Sequence, residues 1–199
     1  MATASTTRPK TRTGRSTVRL DDSASTRRDD SGKSVAFFCQ RLPARVDQDL
    51  LEQLKRIARD PATGGKNVRL CLHDGPGAAF HEMVILERKG RYYRPHKHLT
   101  KGESYHLIEG SMAAFIFEDD GTIADACVLD PSDRFLYRVG TNMYHAILPL
   151  SDWIVYHESK PGPFTGEGDS VYPAWAPDGR DASAVAAYVR TLHDAIKGK

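Results

Sequence analysis

The stretch from Val68 to Lys160 most restricts what this chain can fold into. Short apolar runs there alternate with turn-forming clusters: Asp74-Gly75-Pro76-Gly77, Lys89-Gly90, Lys101-Gly102, Glu109-Gly110, Asp119-Asp120-Gly121 and Asp130-Pro131-Ser132. Gly, Pro and Asp supply the backbone angles and local hydrogen bonds that reverse a chain. Several short strands at this spacing predict an all-β sandwich or barrel. Pro161-Gly162-Pro163 closes the β region, and a Gly/Pro-rich loop with Tyr172 and Trp175 follows.

Helical periodicity flanks this region on both sides. Asp47 introduces Leu50, Leu51, Leu54, Ile57 and Ala58 at helical spacing, and Asp60-Pro61 stops the run, so a helix is expected over about 47–59. A second amphipathic helix is expected over about 181–197, with Val185, Val189, Leu192 and Ile196 on one stripe. Residues 1–33 are Ser, Thr, Arg and Asp with almost no large apolar side chains. Such a segment buries too little surface to offset its ordering entropy, so a disordered basic arm is expected there. Its first twenty residues have the basic, acid-free composition of an organelle transit peptide, and a flexible tail without an assigned task is the simpler reading. The expected organisation is therefore an arm over 1–33 and one domain over 34–199, with its β core at about 67–164.

Charge narrows the partners. The 199 residues carry 28 Lys/Arg and 26 Asp/Glu, and the arm holds eight of the former and four of the latter. The remaining 166 residues thus carry 20 basic and 22 acidic side chains. A body with that balance lacks the basic surface of a nucleic-acid binder, so no specific nucleic acid is expected. No apolar stretch has the length of a membrane span, and no apolar signal-peptide core follows the N-terminus. Cys39, Cys71 and Cys127 are an odd set without C-x-x-C spacing, which points to a reducing, cytoplasmic setting. Cys71 and Cys127 are expected to be small buried apolar residues.

The segment GRYYRPHKHLTKGESYHLIEG, residues 90–110, concentrates ligand-type side chains. On a strand, His96 and His98 project from one face and can share a metal. Glu103 returns a carboxylate after the turn at Lys101-Gly102, and His145 adds a third imidazole from a later strand. Three neutral imidazoles and one carboxylate suit Fe, Zn, Mn, Cu or Ni, with a position left for water or substrate. Alternation also places Arg94 and Tyr92 on the face of His96, and Tyr105 and Leu107 on the face of Glu103. Arg94 then either grips an anionic substrate or forms an internal salt bridge with an acid such as Glu158. Tyr105 either serves the metal as a hydrogen-bond donor or general acid, or fills the core with its hydroxyl satisfied. Lys101 is expected to be solvated and Trp175 to pack on the β core. His73, His81, His106, His157 and His193 have no spacing that singles them out.

These residues resemble the cupin superfamily. Gly90, His96, His98, Glu103 and Gly110 stand in the full register of that family's first motif. The second motif, Pro-x-Gly-x-x-His, keeps only His145, with Gly140 and Asn142 at its Pro and Gly positions. Asn tolerates the left-handed turn conformation that Gly adopts there. The runs RLCLH (69–73), RPHKH (94–98), FEDDG (117–121), ESKPGPF (158–164) and WAPDG (175–179) are similar to the WbuC-type cupins, over about residues 67–179. The resemblance implies a single cupin (double-stranded β-helix, or jelly-roll) barrel holding one divalent transition metal. It also raises Glu158 and Lys160 as substrate-binding residues and suggests a homodimer. Two functions are open at this level: a metal-dependent enzyme acting on a small, polar, anionic metabolite, and a noncatalytic module that binds a small molecule or sugar.

Overall fold

A computed structural model describes residues 16–198. The chain runs through β1 (Thr26–Asp29), β2 (Ser34–Cys39), α1 (Gln48–Arg59), β3 (Asn67–Cys71), β4 (Phe80–Arg88), β5 (Glu103–Glu109), β6 (Met112–Phe117), β7 (Ile123–Leu129), β8 (Leu136–Val139), β9 (Tyr144–Pro149), β10 (Trp153–Pro161) and α2 (Ala182–Ala195). Among the described residues, ten strands and two α-helices make the fold mainly β. They form a seven-stranded sheet in the order β1-β2-β3-β4-β10-β5-β8 and a three-stranded sheet in the order β7-β6-β9. The two sheets face each other and are not joined into one closed sheet. Tyr105, Leu107, Met83, Ile85, Tyr156 and Phe38 of the large sheet meet Met112, Ala114, Ile116 and Ile147 of the small one.

Each helix covers the outer face of one sheet. Asp47 caps α1 by accepting from the Leu50 amide, and Leu50, Leu51, Leu54 and Ala58 are buried against Val35, Phe37, Leu70 and Leu86. Because α1 joins β2 to β3, those two strands pair in parallel, the arrangement a helical crossover imposes. The helix α2 lays Leu192, Val189 and Ile196 on the outer face of the small sheet, beside Phe115, Phe117 and Tyr144. Trp175 packs there too, 5.2 Å from the Phe117 ring.

The N-terminal expectation is corrected in part. Residues 1–15 lie outside the described residues, but Ser16 onward is built into the fold. Val18 is buried in the core under α1, and β1 pairs antiparallel with β2. Polar side chains do work that apolar burial was expected to do. The Ser16 amide donates to Asp47 (2.8 Å) and the Thr17 hydroxyl to the Pro43 carbonyl (2.8 Å). The Arg27 and Arg28 guanidinium groups lie over the Phe38 and Phe37 rings.

Candidate metal centre

His96, His98, Glu103 and His145 converge, with one ligand-type atom of each lying within 4.8 Å of the others. This group could hold a metal ion. Residues 91–95 are not a strand; only His96 and Lys97 form bridges, to His145 and Val171. The His96 amide donates to the His145 carbonyl at 3.1 Å and the reverse bond is 2.9 Å, which sets two ligands side by side. The Asn142 amide donates to the His98 carbonyl at 2.7 Å. Asn142 makes that turn with φ of 58°, the left-handed conformation anticipated for it. Glu103 opens β5, which ends before Gly110. There φ is 85°, and a Cβ would lie 2.3 Å from the Trp153 carbonyl oxygen, so only glycine fits.

The rings are held in one orientation. Nδ1 of His96 faces the Arg94 carbonyl (3.3 Å), that of His145 the Met143 carbonyl (2.9 Å), and that of His98 the Asp169 carbonyl. A ring that donates through Nδ1 presents Nε2 as a lone pair. Those lone pairs aim at Glu103: His145 Nε2 is 2.9 Å from Oε1 and His98 Nε2 is 3.2 Å from Oε2. Although these atoms are close, neither Nε2 has an aligned hydrogen bond among the described residues. With Nε2 as lone pairs these atoms would share a cation with Glu103, and three imidazoles with one carboxylate are a fitting donor set for a divalent transition metal.

Electrostatics keep His96 and Glu103 in their ligand forms, whereas at His98 burial opposes the charge and Glu103 with the Asp169 carbonyl outweighs it and raises the imidazole. Burial drives His96 down to about 3, so it is neutral at any ordinary pH. Burial opposes the charge of Glu103, yet the His145 and His98 contacts and the Lys160 ammonium outweigh it and hold the carboxyl well below the usual range. Lys160 sits 3.3 Å from Glu103 and 2.9 Å from Glu158; burial works against its charge, and the two carboxylates outweigh it and raise the ammonium. The Tyr105 hydroxyl donates to Glu103 Oε1, so Tyr105 meets the group through that carboxylate.

A cavity of about 200 Å3 reaches His96, Glu103 and His145. Tyr105, Glu158 and Lys160 line it, and so do Arg69, Glu87, Tyr93 and Tyr156, which the sequence reading passed over. Two expectations are corrected here. Tyr92 and Arg94 do not line the cavity, because the segment before Pro95 is irregular and strand alternation fails; Tyr93 faces in instead. The Tyr92 hydroxyl donates to the Pro177 carbonyl (2.9 Å). Arg94 donates to the Pro173 carbonyl (2.7 Å) and lies over the Tyr172 ring. It therefore meets neither a cavity ligand nor Glu158, whose partner is Lys160. Lys101 is not solvated either: its ammonium donates to the Asp169 carboxylate and to the Pro163 carbonyl, tying down the loop whose Asp169 carbonyl orients His98. Cys39 and Cys71 are buried free thiols, and Cys127 is half-buried.

Glu87 gives the site a pH signature. Burial pushes its carboxyl from an ordinary 4.5 up to about 8. Between those values the unfolded chain binds fewer protons than the folded one, so stability falls as pH rises across the window. The contribution is complete below about pH 4.5 and lost as pH passes about 8. Glu87→Gln, which keeps an acceptor for the Tyr156 hydroxyl (3.2 Å), is expected to flatten this slope. Urea midpoints from pH 5 to 9 check it, and parallel slopes for the two proteins would count against a buried neutral Glu87.

The sequence profile of a domain of unknown function, DUF6016, matches residues 46–129, less than half of the chain. That span includes His96, His98 and Glu103 but stops before His145. No curated protein matches the sequence. Among solved structures, the chain is similar to the capsular polysaccharide assembling protein CapF from Staphylococcus aureus, at 18% identity and a TM-score of 0.43, over 53% of this chain and 31% of CapF. It is similar to L-ribose isomerase from Cellulomonas parahominis, at 17% identity and a TM-score of 0.44, over 55% of this chain and 70% of that one. It is also similar to oxalate decarboxylase from Bacillus subtilis, at 16% identity and a TM-score of 0.40, over 47% of this chain and 24% of that one. The chain thus spans about a third or less of CapF and the decarboxylase. At such scores the reading of the centre rests on its own geometry. No helix among the described residues is long and apolar enough to cross a membrane.

Proposed function

We propose that this chain is a cupin-type metalloenzyme. It holds one divalent transition metal (Fe, Zn, Mn, Cu or Ni) on His96, His98, Glu103 and His145 and acts on a small polar metabolite. One observation carries the reading: the cavity of about 200 Å3 ends on three of the four ligand residues, so a molecule entering it meets the coordinating group directly. The metal would supply Lewis acidity or, if Fe or Cu, electron-transfer chemistry.

The protein's own part is positioning and charge. Three backbone carbonyls fix the imidazoles before any ligand arrives, which lowers the ordering cost of binding. Tyr105 and Lys160 hold the two oxygens of Glu103 in place. Ile85, Ala146 and Ile147 form a dry wall that strengthens the polar contacts inside. Lys160 and Glu158 line the substrate's side of Glu103. Three free cysteines suit a reducing compartment. Turnover and oxygen consumption, screened over small polar metabolites with metal-loaded and chelated protein, test the reading. Activity is expected only with metal and is lost in His96→Ala; undiminished turnover by the chelated protein would overturn it.

A further inference from the structure

The end of the cavity built by β3 and β4 holds a second set of polar groups that the metal centre does not use. Arg69 on β3 stands across from Ile85 on β4, and Glu87 lies two residues further along the same face of β4. Both line the cavity that ends on His96, Glu103 and His145. Nε of Arg69 is buried and has no hydrogen-bond partner among the described residues; Oε2 of Glu87, whose residue is 6% exposed, has no well-aligned one, although the Tyr93 hydroxyl lies against that carboxyl. The other Glu87 oxygen accepts from the Tyr156 hydroxyl. Leaving a buried polar group without a partner is costly, so two of them facing one cavity mark where a ligand belongs.

Their chemistry selects the ligand. Arg69 can only donate. Glu87, neutral at pH 7 because burial raises its carboxyl to about 8, carries a proton it can donate. Two donors facing one cavity suit the two oxygens of a carboxylate. Formal charge agrees: Lys160 and Arg69 cancel Glu103 and Glu158, so a divalent cation leaves the cavity positive by two. The β3 and β5 backbones are three strand spacings apart, about 14 Å, with side chains reaching in from both. The volume is that of roughly seven waters, room for a small organic acid.

We infer that the cavity binds a small carboxylic acid, with Arg69 and Glu87 gripping its carboxylate and the rest of the molecule directed toward the metal-ligand group. The inference names the substrate class of the reading above and rests on it for the metal, though the Arg69 grip is testable without one. The probes are lactate, malonate and succinate beside lactamide, malonamide and succinamide, titrated calorimetrically into metal-loaded and chelated protein. At least one acid is expected to bind about tenfold or more tightly than its amide, and Arg69→Met to lose about tenfold or more, with metal content and melting temperature unchanged. Arg69→Lys is expected to recover part of the affinity. If Arg69→Met fails to fold, the acid-amide comparison and Arg69→Lys decide. A protein that takes up no metal, yet binds an acid through Arg69, refutes the metalloenzyme reading and keeps this inference. No acid binding in either form, equal affinity for acids and amides, or wild-type affinity in a folded Arg69→Met protein overturns the inference.

Discussion

Glu103→Ala is expected to abolish metal retention and to lower the unfolding free energy by about 3 kcal/mol. The carboxylate is almost fully buried and is approached by His145, His98, Lys160 and Tyr105 at once. Removing one partner of a buried charged set typically costs about 3–5 kcal/mol, because the others keep their desolvation penalty. The lower end applies here, since Lys160 retains Glu158 at 2.9 Å. Glu103→Gln separates the two effects. The amide fills the same volume and keeps an acceptor for Tyr105, so about 1 kcal/mol is lost, but a neutral oxygen is a poor metal ligand. Urea unfolding with metal analysis on both variants checks this. Full metal content in Glu103→Ala would remove Glu103 from the ligand set.

Lys160→Met is expected to destabilise the chelated protein by about 3–5 kcal/mol and the metal-loaded protein by clearly less. The ammonium bridges two buried carboxylates, and without it Glu103 and Glu158 are neighbouring like charges shielded from bulk solvent. A divalent cation on Glu103 supplies the missing positive charge, so added metal should recover part of the loss. The checking measurement is the difference in urea midpoint with and without chelator. An equal loss in both states would show that Lys160 acts by packing alone.

Much of the centre was legible in the sequence because it rests on local spacing. His96 and His98 two apart, Glu103 after a turn and Asn142 as a left-handed residue all follow from short-range rules, and the four ligand residues do meet. The helix before the β region was legible for the same reason, from Asp47 and the Leu periodicity. What was not legible depends on contacts between distant segments. Strand alternation was extended back through Pro95 to Arg94 and Tyr92, where the chain is irregular, so the wrong tyrosine was expected inside. Arg69 and Glu87 sit on strands that read as ordinary alternating sequence; only the order β3-β4-β10-β5 brings them onto the cavity that holds Glu103. Lys101 was read as a turn lysine because its partner, Asp169, is 68 residues away. The N-terminal segment was underestimated because Ser16 and Thr17 are anchored by hydrogen bonds, which leave no apolar pattern. Closure was not legible, because turn spacing specifies many short strands equally well for a closed barrel and for two facing sheets.

The central claim is that His96, His98, Glu103 and His145 hold a metal. Elemental analysis of protein purified without added metal, beside a His96→Ala/His98→Ala control, tests it most directly. The account predicts about one equivalent of a single transition metal in the wild type and almost none in the control. A folded wild-type protein that carries no metal and takes up none on reconstitution, or a control that retains as much as the wild type, would contradict it.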